Sequence, residues 1–405
     1  MKPLRLLYAI GPGNVVHSYR CWKDGTSVAS ETVVTYSSQF FDFCREHHHS
    51  GYAISSFDQA EKFDDGSIIV ENRPKHLAGA GLRYHLSQVL HGISLIATAI
   101  AWRADAVIVD TGTTHWAILG VLKLARIKVI GCLHNTIWPA GFKPTGRGKR
   151  LILASEGWFW RNVASAEMSL SPECERQVRE LAAPYRGIAV QYRGQFKRGD
   201  FASVPPPPRG RLPFRIMFAG RLEQSKGVFD IVEMARMLED ELPGRVHFDI
   251  CGSGPARDDL EQAIEKAGLR GVIETHGRLN RADLIRVYAA SHAVIVPTRS
   301  DFVEGFAQVC AEAVLCGRPV ITSPVVPAVD VLQAAMVLAR TDDPRSYADR
   351  IRALVEDPAA YQRLCDACPA LQEQIYDPKT SLTAALESVF AALEAGSRTA
   401  TASHA

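Results

Sequence analysis

Short apolar runs alternate with longer segments of helical periodicity through the first half of the chain. Continuous Val- and Ile-rich runs separated by helical lengths are typical of a parallel sheet that is covered on both faces. We therefore predict a doubly wound α/β domain over residues 1–200. The apolar runs cover 4–10, 106–110 and 128–133, another strand begins after Gly51, and helical patterns cover about 27–49 and 78–101.

Four consecutive prolines, Pro205 to Pro208, interrupt this pattern. Proline fixes φ and lacks an N–H group, so the run forms a stiff spacer rather than a helix or a central strand. A second series of strands and helices predicts another doubly wound domain over 201–380. Two such sheets would present their carboxyl ends to one cleft. The second series of strands covers 214–218, 246–250, 271–274, 293–296 and 319–322.

The end of the chain lies beyond the last predicted strand. We predict a helix over 381–396 that packs back on the first domain, and a disordered polar tail over 397–405. The triplet His47 to His49 ends a predicted helix, and we interpret it as a solvated helix end rather than as a metal site.

A first polar cluster, Gly220 to Gly227, directly follows the strand at 214–218. Gly220 allows a tight turn, and Arg221 and Lys226 stand at the entrance to a helix, whose N-terminus favours anions. Arginine offers a planar fork and lysine a compact charge to phosphate oxygens. This pattern indicates a phosphate site. A solvated loop with two ordinary basic residues would have the same sequence pattern.

A second cluster, Gly252-Ser-Gly254-Pro255, again follows a strand. The two glycines allow close backbone approach, and Pro255 suits the first turn of a helix. The complete dinucleotide fingerprint G-x-G-x-x-G is not present, because Arg257 stands at the third glycine position. Alone, such a turn is a weak signal.

A third cluster follows the strand at 293–296. Glu304 precedes a helix that we expect to begin near Gly305, and Glu312 lies about two turns further along the same face. Carboxylates accept hydrogen bonds from hydroxyl groups, so a sugar and a ribose would both suit this pair. Two glutamates at this spacing are also common on ordinary helices.

Together, these clusters make residues 214–355 resemble the family-4 retaining glycosyltransferases of the two-domain GT-B fold. The resemblance rests on G-R-L-x-x-x-K-G, G-x-G-P, H-G-R-L at 276–279, and E-G-F followed by E-A with seven residues between Glu304 and Glu312. It implies a retaining transfer of a sugar from a nucleoside diphosphate sugar to a hydroxyl group of a glycan or glycolipid.

The resemblance also implies roles for individual residues. Arg221 and Lys226 would neutralise the donor diphosphate, and Glu304 would hold hydroxyl groups of the transferred sugar. Glu312 would bind the ribose, and Arg278 and Leu279 would contact the base. The remaining donor-side candidates are Gly220, Gly252, Gly254, Pro255, Gly305 and Phe306. No cofactor and no metal ion are expected, because the Arg and Lys side chains would balance the diphosphate charge.

The N-terminal half offers fewer signals. The glycine-bearing loop with Gly11 and Gly13 resembles the family's first loop near the diphosphate and the acceptor. His134, at a strand end, resembles the family's cleft histidine, so we count it with the catalytic candidates. Asp110 and His115 also follow a strand end, and we hold them as candidates on the acceptor side.

Basic and aromatic residues occur together over 143–161. This combination suits peripheral contact with a membrane. The alternative, which we favour, is an amphipathic helix that packs its aromatic side chains on its own domain.

The composition limits the other classes of function. The 46 Lys and Arg residues nearly balance the 44 Asp and Glu residues, which argues against a nucleic-acid partner. Nine scattered cysteines and only short apolar runs indicate a cytoplasmic protein. A nucleotide-sugar epimerase of the same fold, a non-catalytic glycosyltransferase-like subunit and, more weakly, a dehydrogenase stay open as alternatives.

Overall fold

Two parallel sheets organise the chain, and their strands alternate with helices. The fold is given by a computed structural model, which describes residues 2–75, 79 and 81–402, with described side chains ending at Gly396. The strands are β1 Arg5–Ile10, β2 Val33–Val34, β3 Ser50–Ser55, β4 Glu61–Asp64, β5 Ile68–Asn72, β6 Ala106–Asp110, β7 Lys128–Leu133, β8 Ala166–Ser169, β9 Ile188–Gln191, β10 Gln195–Phe196, β11 Phe214–Ala219, β12 Val246–Cys251, β13 Ile273–Gly277, β14 Ala293–Ile295, β15 Val320–Thr322 and β16 Met336–Leu338.

Helices cover both sheets. The helices are α1 Val15–Lys23, α2 Tyr36–Glu46, α3 Leu82–Ala101, α4 Gly120–Leu124, α5 Arg147–Asn162, α6 Pro172–Leu181, α7 Arg198–Phe201, α8 Val228–Glu241, α9 Arg257–Lys266, α10 Arg281–Ala290, α11 Gln308–Leu315, α12 Val329–Leu332, α13 Pro344–Glu356, α14 Pro358–Tyr376 and α15 Leu382–Ala402.

The first sheet has the order β4-β5-β3-β1-β6-β7-β8-β9, and the second has the order β13-β12-β11-β14-β15-β16. Every pairing within them is parallel except that of the edge strand β4 with β5. The predicted fold class, two doubly wound α/β domains, is therefore confirmed. In both sheets the strand order reverses beside the first strand, which is where doubly wound folds bind ligands.

Alternation along β1 shows how the core is divided. Leu7 and Ala9 face a cluster on one side of the first sheet, whereas Leu6 and Tyr8 face a second cluster on the other side. The second cluster also contains Met217 of β11, so it continues from the first domain into the second. Successive side chains of a strand point to opposite faces, so one strand supplies both layers.

The chain crosses between the domains twice. The proline segment makes the first crossing, and it is fixed to the second domain because Arg318 donates to the carbonyl of Pro205 over 2.7 Å. The second crossing lies between α14 and α15. There the amide of Arg193 donates to the carbonyl of Thr380 over 2.7 Å, and Gln195 Nε2 lies 3.3 Å from the carbonyl oxygen of Asp377.

After the second crossing, α15 packs on α2 of the first domain. The rings of Phe43 and Phe390 stack with their centroids 5.6 Å apart, and the amide of Leu382 donates to Gln39 over 2.8 Å. His47 lies 3.0 Å from Glu387, and His49 is buried, so the interpretation of the triplet as a solvated helix end is wrong. The helical backbone continues to Ala402, past the predicted end at 396, and residues 403–405 of the predicted disordered tail lie outside the described residues.

Three further expectations about element boundaries are wrong. In place of the predicted helix over 27–49, the structure has a loop, the short strand β2 and then α2. The β-branched residues before Thr35 favour extended backbone. Thr35 then caps α2, because its side chain accepts a hydrogen bond from the Ser38 amide. The long helix starts at Leu82 rather than at residue 78, and 76–78 lie outside the described residues. In the two large sheets, the strands β4, β5, β8, β9 and β16 have no counterpart in the prediction.

A buried carboxyl group in the first sheet gives a test of this core. Glu167 of β8 is fully buried, and burial raises its pKa from the ordinary value of 4.5 to about 7. The folded state therefore holds this proton to higher pH than the unfolded state does. Stability should fall as pH rises from about 4.5 to about 7, by at most about 3 kcal/mol.

We expect Glu167→Gln to remove that loss, because glutamine stays neutral. Urea denaturation gives the free energy of unfolding of both proteins at each pH. The difference, variant minus wild type, should be larger at pH 8 than at pH 5 by on the order of 1–3 kcal/mol. The exposed Glu265→Gln is the control and should show no such change. Parallel pH profiles for wild type and Glu167→Gln would contradict the burial effect.

Candidate active site

A cavity of about 560 Å³ lies between the two domains, at the carboxyl ends of the strands of the second sheet. The loops after β11, β12 and β13 form one wall, and the loop before β2 forms part of the other. Of the residues singled out from the sequence, those that line it are Gly220, Arg221, Lys226, Gly252, Arg278, Leu279, Glu304 and Glu312. Three separated sequence clusters therefore meet in one place.

Lys226 and Glu304 form the central ion pair of the cavity. The Lys226 Nζ lies 2.5 Å from Glu304 Oε2 and 3.8 Å from the centroid of the Phe302 ring. Thr298 Oγ1 lies 3.5 Å from the same carboxylate oxygen. Both charged side chains are largely buried, so their interaction is less screened by solvent than that of a surface pair.

Local backbone geometry places Lys226. A 3₁₀ turn over Gln224–Lys226 follows β11, and Gly227 then adopts a left-handed φ of 74° at the start of α8. A Cβ atom on Gly227 would lie 2.1 Å from the carbonyl oxygen of Pro297. The glycine therefore allows the lysine loop to pack against the loop that carries Glu304.

Arg221 has a different environment. Its side chain is exposed at the cavity and lies 3.4 Å from Glu223. A surface ion pair of this kind contributes little stability, so the guanidinium can exchange it for another anion at small cost. Arg221 and Lys226 together bring two positive charges to the end of β11.

Glu312 is buried in α11 at the floor of the cavity. One carboxylate oxygen accepts from Tyr288 over 2.6 Å, and the other accepts from Thr32 of the first domain. Burial raises the pKa of Glu312. The helix begins at Gln308 rather than near Gly305, because Ala307 has a left-handed φ of 65°. Glu304 therefore lies in the preceding loop and does not share a helix face with Glu312.

The glycines of the second cluster bring two loops together. Gly252 has a φ of 148°, and a Cβ atom there would lie 1.8 Å from the carbonyl oxygen of Gly220. A Cβ atom on Gly254 would lie 2.3 Å from the carbonyl oxygen of Leu222. Gly254 and Pro255 do not line the cavity, and α9 begins at Arg257, after Pro255. The packing of these loops shapes the cavity wall.

Gly305 lies directly against the backbone of the first domain. A Cβ atom there would lie 1.8 Å from the carbonyl oxygen of His134. Next to it, the amide of Thr136 lies 3.4 Å from the carbonyl oxygen of Glu304. Phe306 is buried, with the Arg193 guanidinium 5.8 Å from the centroid of its ring. Gly305 and Phe306 thus lie against the first domain and not among the cavity-lining residues.

His134 is enclosed by the first domain. Its Nε2 lies 2.8 Å from Asp110 Oδ1, and the ring centroid of Tyr36 is 4.5 Å away. The Tyr192 hydroxyl is 3.3 Å from the ring nitrogens, and Tyr8 donates to Asp110 over 3.2 Å. The structure brings together the predicted residues His134 and Asp110, but neither lines the cavity.

The other acceptor-side candidates lie at the same edge of the first sheet. Gly11 and Gly13 follow β1, and a Cβ atom on either would meet no heavy atom within 4 Å. His115 follows β6, and its Nε2 lies 3.0 Å from Nδ1 of His85. Burial and the nearby His85 lower the pKa of His115.

The loop before β2 is a part of the site that sequence reasoning missed. Ser30 and Glu31 line the cavity, and Arg281 Nε donates to the carbonyl of Glu31 over 2.8 Å. Arg281 also lies 3.3 Å from Asp200. Burial raises the pKa of Glu31, while Arg278 opposes that effect. No local pattern marks this loop, because its contacts come from α10, some 250 residues later.

One group of possible metal ligands occurs among the described residues. Ligand atoms of His247, Asp249 and Glu274 lie within 4.8 Å of one another, outside the cavity lining. Asp249 already receives both hydrogen bonds of the Arg215 fork and lies 2.9 Å from His276 Nε2. The cluster therefore contains its own cation, and we assign no metal to it.

Comparisons with known proteins agree with this geometry. Residues 210–368 match the family model for glycosyl transferases group 1. The chain is 26% identical over 377 residues to the D-inositol 3-phosphate glycosyltransferase of Arthrobacter sp. (strain FB24), covering 84% of this chain and 85% of that protein.

Solved structures agree at the level of the fold. Sucrose-phosphate synthase from Thermosynechococcus elongatus superimposes with a TM-score of 0.70 at 14% identity, covering 97% of this chain and 100% of that one. Anabaena HepE in complex with UDP gives a TM-score of 0.63 at 16% identity, with coverage of 97% and 100%.

The two domains and the shared cleft have the GT-B fold, as the resemblance implied. The family match over the second domain and the similarity to the Arthrobacter glycosyltransferase over most of the chain support a transferase that takes its sugar from a nucleotide-sugar donor.

The approach at Gly305 gives a direct test of the cleft. We expect Gly305→Ala to push the Glu304 loop away from His134 and to lower the transfer rate by on the order of a hundredfold, because small displacements of reacting groups are that costly. Thermal unfolding would show whether the domains still fold. Gly271→Ala, whose Cβ meets nothing within 4 Å, is the control. An unchanged transfer rate for Gly305→Ala would refute this role of the contact.

Proposed function

We propose that the protein is a retaining glycosyltransferase that needs no metal ion and moves a sugar from a nucleoside diphosphate to an acceptor hydroxyl. The observation that carries this proposal is the Lys226–Glu304 pair beside Arg221 in the interdomain cavity. A donor has an anionic diphosphate joined to a polyhydroxyl ring. The site offers two cations, which can bind the diphosphate, beside a carboxylate, which can accept hydrogen bonds from the ring hydroxyls.

The donor diphosphate would lie at the end of β11. Arg221 would exchange its exposed contact with Glu223 for phosphate oxygens, and Lys226 would donate to the oxygen on which charge builds as the sugar leaves. Preorganised cations at a leaving group lower the barrier without a metal ion. Glu304 would then accept hydrogen bonds from hydroxyl groups of the sugar.

The nucleoside would occupy the rest of the cavity. Glu312 would accept from the ribose hydroxyls, which would take over the hydrogen bond now made by Thr32. Arg278 and Leu279 would contact the base beside Ser30 and Glu31. The solved relative with the same fold binds UDP, so uridine is the first base to test.

Retention at the anomeric carbon fits the arrangement of the possible bases. An inverting reaction needs a base that removes the acceptor proton from the face opposite the leaving group. His134 beside Asp110 is the candidate for that role. Its ring is enclosed by Tyr36, Tyr192 and Asp110 and is outside the cavity lining, so it suits a positioning role better. This favours retention.

The acceptor would approach from the first domain, past Gly11, Gly13, Asp110 and His115. These residues follow β1 and β6, at the edge of the sheet that faces the cleft. The name of the Arthrobacter relative gives its acceptor as a polyol phosphate. A hydroxyl group of a glycan or glycolipid in polysaccharide biosynthesis is the acceptor class that we propose for this chain.

We also propose that the enzyme works in the cytoplasm. All nine cysteines are free, and eight of them are buried, which fits a reducing compartment. None of the described helices is long and apolar enough to cross a membrane.

Loss of Lys226 or Glu304 should abolish most transfer. We expect Lys226→Ala and Glu304→Gln each to lower kcat by on the order of a hundredfold or more, since each removes a charge that faces the reacting sugar. Product formation from UDP-, GDP- and ADP-sugars, with and without EDTA, measures the effect and its metal dependence. Lys266→Ala, an exposed lysine of α9, is the matched control. Wild-type rates for both site variants would exclude these roles.

The configuration of the product tests the stereochemistry. We expect an α-linked donor to give an α-linked product, which proton NMR of the anomeric region reads directly. A β-linked product would overturn retention and would assign the base to His134. In that case His134→Gln should lose on the order of a hundredfold or more in kcat, whereas a retaining enzyme would keep its stereochemistry in the same variant.

A further inference from the structure

One face of α3 carries exposed apolar side chains along the whole helix. Their spacing of three and four residues places them in a single stripe. Helices on the surface of a globular protein usually have polar side chains on this outer face. Leu82, at the start of the stripe, is 84% exposed. The stripe consists of Leu82, Leu86, Leu90, Ile93, Ala97 and Ile100.

The stripe continues onto α4 and α5. An apolar groove of about 560 Å³ joins Ile93 of α3 to Val121 and Leu124 of α4 and to Trp158 of α5. Leu124 is 86% exposed and Leu151, two turns before Trp158 on the same face of α5, is 73% exposed. We call the stripe together with Val121, Leu124, Leu151 and Trp158 the apolar face.

Basic residues border the apolar face. Residues 111–166 contain eight Lys and Arg residues and one acidic residue, Glu156, whereas the whole chain is nearly balanced. Lys123 and Arg161 donate to main-chain carbonyls. Within the described part of the chain, the other exposed basic side chains of this segment, apart from Lys143, make no ion pair, namely Arg126, Lys128, Arg147, Lys149 and Arg150.

We propose that the apolar face docks on the surface of an anionic lipid bilayer. Contiguous exposed apolar patches of this extent are rare on soluble proteins unless they bind something. An apolar centre with a cationic border matches the acyl boundary and the charged headgroups of such a bilayer. The exposed side chains of α3 from Leu86 to Ile100 are all apolar. Surfaces that bind another protein normally include hydrogen-bonding side chains, so this face suits a bilayer better than a protein partner.

The position of this face relates it to the cleft. The helix α3 leads into the parallel strand β6, so it starts at the carboxyl edge of the sheet, and His85 in its first turn meets His115 of the cleft loop. The helix α5 follows β7 and starts at the same edge with Arg147, Lys149 and Arg150. A bilayer on the apolar face would therefore lie next to the rim of the cleft.

Flotation of the full chain with lipid vesicles tests the proposal. Vesicles of phosphatidylcholine alone are compared with vesicles of equal parts phosphatidylcholine and phosphatidylglycerol, at low and high NaCl. We expect binding to the anionic vesicles, weakened by salt. We expect Leu86→Ser/Leu124→Ser and Arg147→Gln/Lys149→Gln/Arg150→Gln each to weaken it by on the order of tenfold.

Matched controls separate this surface from general effects. Leu212→Ser removes an exposed leucine elsewhere, and Arg236→Gln/Lys266→Gln/Arg270→Gln removes three exposed charges from the second domain. Both controls should bind like wild type, and thermal unfolding shows that each variant is folded. Loss of binding with the face variants alone supports the proposal.

Three outcomes would overturn it: no binding of the wild type to anionic vesicles, equal binding to both kinds of vesicle, or equal losses in the controls.

Size-exclusion chromatography is run on the same samples. A dimer that dissociates in Leu86→Ser/Leu124→Ser, without vesicle binding by the wild type, would assign the apolar face to a second copy of the chain instead. Donor hydrolysis does not depend on this surface, so its loss in the same variants would point to misfolding.

Discussion

The backbone contact between Gly305 and His134 fixes the geometry on which the cleft depends. A side chain at position 305 would overlap the carbonyl oxygen of the opposite domain, so the approach is possible only for glycine. The contact holds the loop with Glu304 against the first domain, and Glu304 in turn holds Lys226. One short-range steric condition thus places two largely buried opposite charges in the donor wall. The interdomain core that continues from Tyr8 to Met217 supports the same arrangement.

The buried carboxylates of the cleft already have hydrogen-bond partners. Glu312 is satisfied by Tyr288 and Thr32, and Glu304 by Lys226. A buried carboxylate without such partners would be costly, so any ligand must replace each bond that it displaces. Sugar and ribose hydroxyls can do this, whereas an apolar ligand cannot. The same bonds that stabilise the protein therefore favour ligands with hydrogen-bond donors, such as hydroxyl groups, over apolar ones.

The sequence predicted the second domain better than the first because its signals are local. Strand ends followed by Gly220, Gly252 or Glu304 mark loops within a few residues, and the cavity brings these loops together. The loop with Glu31 depends on Arg281, and the surroundings of His134 depend on Tyr36 and Tyr192, which are distant in sequence. The start of α11 depends on the left-handed Ala307, which no propensity predicts. Patterns with a short period carry information about elements and turns, but not about which remote side chains meet.

The return of α15 to the first domain has a mechanical consequence. With the proline segment as the only crossing, the domains could swivel about a single tether in any direction. The second crossing near Asp377 and Thr380 adds a second pivot, itself bonded to Arg193 and Gln195. Two pivots define an axis, so the relative motion of the domains reduces to one degree of freedom, rotation about the line that joins the crossings. The cleft then opens and closes along the same arc in every cycle. The loops on its two sides return to the same relative position each time.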